Sequence, residues 1–325
     1  MKSKDNLPLV SIAIPVLNGG EYFEMCLKSV QNQTYPNWEC VINNNHSTDN
    51  TLEIAKRFAS EDSRFKVFDN EEFLIMVDNW NKACSRIHPD TVYLKVLGAD
   101  DWIFPESIEK MVKLMEKHPE VGVCSSYRIV DRQVEGFGMN LWDGEVYDGK
   151  DMLYKQLTRQ RDITGSNTTF LLSMEHLKKL PRFPMVFDNT AYHQDTELVY
   201  EMMNISKVGF IFQILSYTRR HEEAHTLTEG IRFRTLHQLN EKVLWMYKGD
   251  DTELNRRYRD QRYEYAAFML WRKLRFDRKA INWHRNYIVR KFTFWEYLVG
   301  AFTRNKLSQF FLRIIRKITS RPDRS

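Results

Sequence analysis

The first 130 residues alternate between short, unbroken apolar runs and amphipathic stretches with a period near 3.6 residues. Runs of the first kind mark strands buried on both faces, and stretches of the second kind mark the helices that cover them. Val10–Val16, Trp38–Ile42, Lys66–Phe68, Thr91–Leu97 and Val121–Ser126 read as strands. Between them, Glu21–Gln33 predicts a helix with Tyr22, Phe23, Cys26, Leu27 and Val30 on its apolar face. Asp49–Ala59 predicts a second, started by Ser47 or Asp49 as N-cap, and Met76–Ile87 a third. A fourth opens at Pro105 as its first residue, with Ile108, Met111, Val112 and Met115 on one side. This rhythm predicts an α/β fold with a Rossmann-like, mostly parallel central sheet and helices on both faces. From Val134 to Ser216 the periodicity weakens and glycines interrupt it, which reads as loops and small elements laid against the sheet. From Ile231 onward the pattern is helical, with few Gly or Pro.

The strand Thr91–Leu97 stops abruptly at Gly98-Ala99-Asp100-Asp101-Trp102. Carboxylates at the carboxyl end of a central strand sit where open α/β sheets bind ligands. Two of them side by side resist desolvation unless a cation or a proton compensates them. A divalent metal carrying a phosphorylated ligand answers that need; a solvated turn capping the next helix is the plainer alternative. Two further polar clusters, Pro15-Val16-Leu17-Asn18-Gly19-Gly20 and Asn43-Asn44-Asn45-His46-Ser47-Thr48-Asp49, end the first two strands. In a parallel sheet all three ends share one rim. No G-x-G-x-x-G follows the first strand and no G-x-x-x-x-G-K-[ST] occurs, which argues against a dinucleotide cofactor and an ordinary ATPase.

Four fragments, in this order and spacing, carry a resemblance: Val10-Ser11-Ile12-Ala13-Ile14-Pro15-Val16-Leu17-Asn18, Ser29-Val30-Gln31-Asn32-Gln33-Thr34-Tyr35, Ser47-Thr48-Asp49-Asn50-Thr51 and Gly98-Ala99-Asp100-Asp101. From about Leu9 to Thr226 the chain resembles the family 2 glycosyltransferases, whose nucleotide-sugar fold is called GT-A. The resemblance implies an inverting, metal-dependent transfer from a nucleotide-diphosphate sugar, with Mn²⁺ or Mg²⁺ as cofactor. It implies that the backbone around Pro15, Val16 and Asn18 contacts the nucleotide and that Asn44 stands where an aspartate usually accepts from the base. Asp49, Asn81, Gly98, Ala99 and Arg219 join the donor side by the same reasoning. Asp100 matches the last acid of the D-x-D motif and so reaches the metal, with His221 as a second candidate; Asp101 and Trp102 fall toward the acceptor. Asp195, in His193-Gln194-Asp195-Thr196-Glu197-Leu198, looks like the general base, although it also suits an N-cap for the helix Thr196–Met203. Two positions depart from the pattern. Asn44 is neutral, so it accepts more weakly than a carboxylate, and Gly98 lacks the carboxylate that helps hold the ribose.

Charge sharpens the picture. Residues 256–325 hold 19 Lys/Arg and 5 Asp/Glu, a net of +14, while the remainder carries −9. Within that tail, Leu307, Phe310, Phe311, Ile314, Ile315 and Ile318 recur at three- and four-residue spacing among basic residues. Such a basic amphipathic helix suits an anionic membrane interface, or packing on the body or a second subunit. No RNA-recognition motif accompanies the charge, so nucleic acid is not expected. The four cysteines fall in apolar segments without C-x-x-C spacing and read as buried thiols of a reducing compartment. Two prolines interrupt Leu7–Leu17, which favours a first strand over a signal peptide. Together these imply a GT-A domain over 1–230 (a nucleotide-sugar half, 1–101, and an acceptor half, 102–230) and a basic helical extension over 231–325. The expected protein is cytoplasmic, peripheral at the inner membrane face, and extends a lipid-linked saccharide or glycolipid in cell-surface polysaccharide synthesis, with oligomers through the C-terminal helices open. A sugar-nucleotide pyrophosphorylase and a non-catalytic nucleotide-sugar-binding subunit are the rivals.

Overall fold

Val10–Val16 forms β1, and all seven of its residues are buried. A strand covered on both faces needs a neighbour at each edge and a layer of helices above and below. In the computed structural model, which describes residues 7–136, 139, 144–158, 166–186, 194–219 and 251–274 together with 293, 295, 296 and 299, β1 has both. It pairs in parallel with β2 (Trp38–Asn44) on one side and β4 (Tyr93–Val96) on the other. Beyond β2 lies β3 (Phe65–Asp69), also parallel. The connections are α1 (Gly20–Gln31), α2 (Thr51–Glu61) and α3 (Met76–Ser85). After β4 come β5 (Trp102–Ile103), α4 (Ser107–Lys117), β6 (Val121–Val130) and β7 (Gln133–Glu135). Then follow β8 (Val146–Tyr147), α5 (Gly149–Leu157), a 3-10 turn at Asn167–Thr169, β9 (Leu171–Ser173) and α6 (Met174–Leu177). The unit is completed by α7 (Gln194–Ile205) and β10 (Lys207–Thr218).

The sheet order is β3-β2-β1-β4-β9-β6-β10-β5, with β7 on β6 and β8 on β10. β9 is antiparallel to both β4 and β6, whereas β10 is parallel to β6. The long strands therefore all point their carboxyl ends at one rim. Phe23, Leu27 and Val30 of α1, Ile54 and Phe58 of α2, and Ile108, Met111 and Met115 of α4 join Ile12, Ile14 and Ile42 in one core. Each large apolar side chain taken fully from water contributes about 1.5–3 kcal/mol.

Several boundaries differ from the pattern reading. α4 begins at Ser107 with Glu106 as its cap, not at Pro105. The Pro105 carbonyl accepts from Thr34 N, and Phe104 N donates to Leu215 O, so these two residues are held outside the helix. α2 starts at Thr51 behind Asn50, whose side chain makes no capping bond; Asp49 Oδ1 instead accepts from Thr51 N (3.1 Å) and Thr51 Oγ1 (2.5 Å). The segment 134–216 holds far more regular structure than its weak periodicity suggests, including the 12-residue β10. Register shifts within β10 break the alternation that would have revealed it.

The chain divides into two compact units, Met1–Asn189 with Gln194–Ala224, and Thr190–His193 with His225–Ser325. In the second, α8 (Thr252–Leu274) is helical, as the pattern predicts for that stretch, and Arg262, itself buried, pairs with Glu296; residues 231–250 lie outside the described residues. The amphipathic stretch Leu307–Ile318, and His221, lie outside the described residues. All four cysteines are buried and free. No helix among the described residues is long and apolar enough to cross a membrane.

Candidate active site

The β1–α1 and β2–α2 loops turn sharply at the rim, with Asn18 and His46 both at positive φ (49° and 59°). Asn and His tolerate this conformation better than bulkier residues. The loops are stitched together by side chains of the Ser47–Thr51 cluster. Asn18 N donates to Ser47 Oγ (2.9 Å), Gly19 N to Thr51 Oγ1 (2.8 Å) and Gly20 N to Asp49 Oδ2 (3.0 Å). Thr48 N donates back to Asn18 Oδ1 (2.8 Å). Three amides ahead of α1, the ordinary cradle for a phosphate, are thus satisfied internally. Asp49 and Asn18 shape the rim, and a diphosphate must find its charge elsewhere.

Pro15 and Val16 are interior residues of β1, so only the exposed Leu17–Asn18 segment faces outward there. Asn44 is buried too. Its Nδ2 donates to Asp69 Oδ1 (2.7 Å), while its Oδ1 has no hydrogen-bond partner among the described residues. Asn45, passed over in the sequence, holds the Leu74 backbone through both its amide atoms (2.8 and 2.9 Å). Asn81 Oδ1 accepts from Val186 N (2.9 Å), tying α3 to a later loop.

The Gly98–Asp101 turn leads from β4 to β5, whose partner is β10. The turn therefore crosses the rim and delivers its carboxylates beside Arg219, the first residue after β10. Arg219 NH2 lies 4.0 Å from Asp100 Oδ2, and the guanidinium sits 3.4 Å from the centroid of the Tyr22 ring on α1. Its Nε is buried without a hydrogen-bond partner among the described residues. Asp101 had been expected to face the acceptor, but it is 4 % exposed and turned inward. It accepts from Thr168 Oγ1, Ser166 Oγ (3.3 Å) and Arg219 N (2.9 Å). Burial, reinforced by the charge of Asp100, pushes its carboxyl up to about 7. Trp102 stacks flat on Tyr217, with centroids 3.9 Å apart and planes 5° from parallel. Ala99 packs against the core.

Gly98 now has a physical reason. A Cβ there would lie 3.0 Å from Asp101 Oδ2, so that carboxylate would have to give by a few tenths of an ångström, while Asp100 Oδ1 at 3.4 Å would be in ordinary contact. No pattern along the chain singles out Thr168, which links two strands. Its Oγ1 donates to Asp101, and its carbonyl accepts from Lys95 Nζ (2.7 Å). Lys95 is wholly buried in β4, donates also to Phe170 O (3.1 Å), and is driven down to about 7 by burial. A lysine inside an unbroken apolar run was the clue that could have found it.

Among the described residues no group of three or more His, Cys, Asp or Glu could hold an ion alone. The donor set is Asp100, because Asp101 is spent on hydrogen bonds and residue 98 has no side chain. One carboxylate fits a hard cation that keeps waters and takes its other ligands from a diphosphate. Asp195 lies in the first turn of α7 and accepts from Thr196 N (2.8 Å). Because α7 leads directly into the starting end of β10, its own first turn points back toward the carboxyl-end rim.

An open α/β sheet with an acidic turn and an arginine on its carboxyl-end rim has its ligand site at that rim. Residues 11–180 match the model of glycosyl transferase family 2, and the chain belongs to that family. It is 30% identical over 145 residues to an uncharacterized glycosyltransferase of Haemophilus influenzae; the match covers 44% of this chain and 44% of that relative's own length. TarS of S. aureus (residues 1–349, in complex with UDP-GlcNAc) superposes with a TM-score of 0.60 at 15% identity, over 78% of this chain and 71% of that one. The mannosyltransferase PcManGT from Pyrobaculum calidifontis, in complex with GDP-Man and Mn²⁺, gives 0.56 at 16%, over 74% and 66%. These similarities establish the GT-A-like fold.

Proposed function

We propose that the chain moves a sugar from a nucleotide-diphosphate sugar to a hydroxyl acceptor in a single displacement with inversion. The observation that carries this reading is the meeting of Asp100 and Arg219 on the rim, 4.0 Å apart and drawn from strands far apart in sequence. A diphosphate leaving group needs positive charge, and the internally satisfied amides before α1 leave Arg219 to supply it. Asp100 would hold a Mn²⁺ or Mg²⁺ ion, which when bound acts as a Lewis acid on the departing diphosphate. Asp195 serves as general base and takes the proton from the acceptor hydroxyl as that oxygen attacks. No covalent nucleophile is required, as in the inverting route of glycoside hydrolysis. Asn18 and Asn44 lie on the base side of the donor. The Trp102–Tyr217 stack offers a flat aromatic edge beside the acidic turn for the acceptor saccharide.

The acceptor we favour is lipid-linked, within synthesis of a cell-surface polysaccharide or glycolipid at the cytoplasmic face of a membrane. The +14 charge and apolar stripe of the tail support that location. A thermal-shift screen of UDP- and GDP-sugars with and without Mn²⁺ identifies the donor, since a bound ligand raises apparent stability by mass action. UDP-GlcNAc and GDP-Man are the first to try, being bound by the structural neighbours. In Asp100→Ala the Mn²⁺-dependent part of the shift should vanish while the protein stays folded. An undiminished metal-dependent shift in that variant would remove Asp100 from the role.

A further inference from the structure

Arg219 is held at two points. Its backbone N–H donates to Asp101, which is itself fixed by Ser166 and by Thr168, and Thr168 is fixed by Lys95. Its guanidinium lies 3.4 Å from the ring centroid of Tyr22, in the first turn of α1. Flat stacking on an aromatic face suits the planar, weakly hydrated guanidinium better than the compact, strongly hydrated ammonium. Between these two holds, NH2 stands 4.0 Å from Asp100 Oδ2. That separation is too long for a hydrogen bond, so the attraction is one of charge through space.

A cation approaching Asp100 alone meets a carboxylate already partly neutralised, with a fixed positive charge next to it. A cation arriving with a diphosphate brings anionic oxygens that the same guanidinium attracts. We infer that Tyr22 is a positioning residue which, with Asp101, keeps Arg219 as the standing counter-charge of Asp100, so that a divalent cation binds well only together with a nucleoside diphosphate. The inference rests on the glycosyl-transfer reading and adds to it an order of binding and a residue on α1.

The test is direct Mn²⁺ binding, followed by loss of the free-ion electron paramagnetic resonance signal, with MnCl₂ alone and with saturating UDP or GDP. The parent protein should bind Mn²⁺ alone weakly and at least tenfold more tightly with one of the nucleotides. Arg219→Ala should bind Mn²⁺ alone about fivefold more tightly than the parent, the order expected for removing one like charge at the surface, and should lose most of the nucleotide enhancement. Tyr22→Leu should move both readings in the same directions, while Tyr22→Phe, which keeps the ring, should match the parent. Arg219→Lys keeps the charge but not the stack and should behave as Tyr22→Leu does, which covers the case of a poorly folded Tyr22→Leu. Parent-like values for Tyr22→Leu and Arg219→Lys, with a normal nucleotide enhancement, would overturn this inference and leave the donor reading standing. No enhancement by either nucleotide in the parent would overturn both.

Discussion

Replacing Lys95 by methionine tests how the rim is held. The ammonium is wholly buried, donates to the carbonyls of Thr168 and Phe170, and has its pKa lowered from 10.5 to about 7, chiefly by burial. A shift of that size corresponds to about 5 kcal/mol between its two protonation states. The sign follows from where the proton resides. Below about pH 7 the folded protein holds a buried charge that the unfolded chain keeps in water, and the full penalty applies. As pH rises above 7 the folded state releases its proton while the unfolded state retains it until about 10.5. The unfolded state then binds more protons, and stability rises with pH. Methionine has no proton to lose. Its loss of two donors leaves both carbonyls unpaired, which costs about 1–3 kcal/mol each but does not vary with pH. The stability difference, parent minus Lys95→Met, should therefore grow by about 2 kcal/mol from pH 7 to pH 9. Urea unfolding of both proteins at pH 7, 8 and 9 measures the difference. A difference constant to within about 0.5 kcal/mol across that range, well below the rise that proton linkage requires, would refute a buried, depressed Lys95.

Asp195→Asn is nearly isosteric, so donor binding should persist while transfer falls by about two to four orders of magnitude; transfer within a few-fold of the parent would remove Asp195 from the role of base. Gly98→Ala should cost about 1–3 kcal/mol in chemical unfolding, because the methyl presses on Asp101. An unchanged midpoint would mean that the turn relaxes freely. Truncation after Lys291 should abolish flotation with anionic vesicles, and the full-length protein should float less well in high salt without losing binding entirely. Equal flotation of the two would assign the tail to packing or oligomerisation instead.

The first 101 residues were legible because their signals are local. Val10–Val16 and Trp38–Ile42 are short, mainly apolar runs, each broken by a single polar residue (Ser11, Glu39), and each polar cluster follows its strand directly. Asp100 was found for the same reason. What escaped the sequence depends on contacts between distant residues. Nothing near Asp101 announces that Arg219 will donate to it from 118 positions away. Tyr22 read as one more apolar position on α1, yet it is half-buried and stacks on that same arginine. β9 is three residues long and offers no period to detect, and β10 hides behind its bulges.

The placement of β9 also bears on how the sheet is completed during synthesis. β4 emerges from the ribosome well before Leu171–Ser173, the strand that pairs with its outer side. Through that interval it is the open edge of a half-sheet and a template for pairing with another nascent chain. An inward-pointing charge is one of the devices that keep such edges from sticking. Lys95 is that charge while the edge is open, and it becomes the donor that fastens the 168–170 backbone once β9 docks. The same ammonium is a guard on the growing chain and a bolt in the finished one.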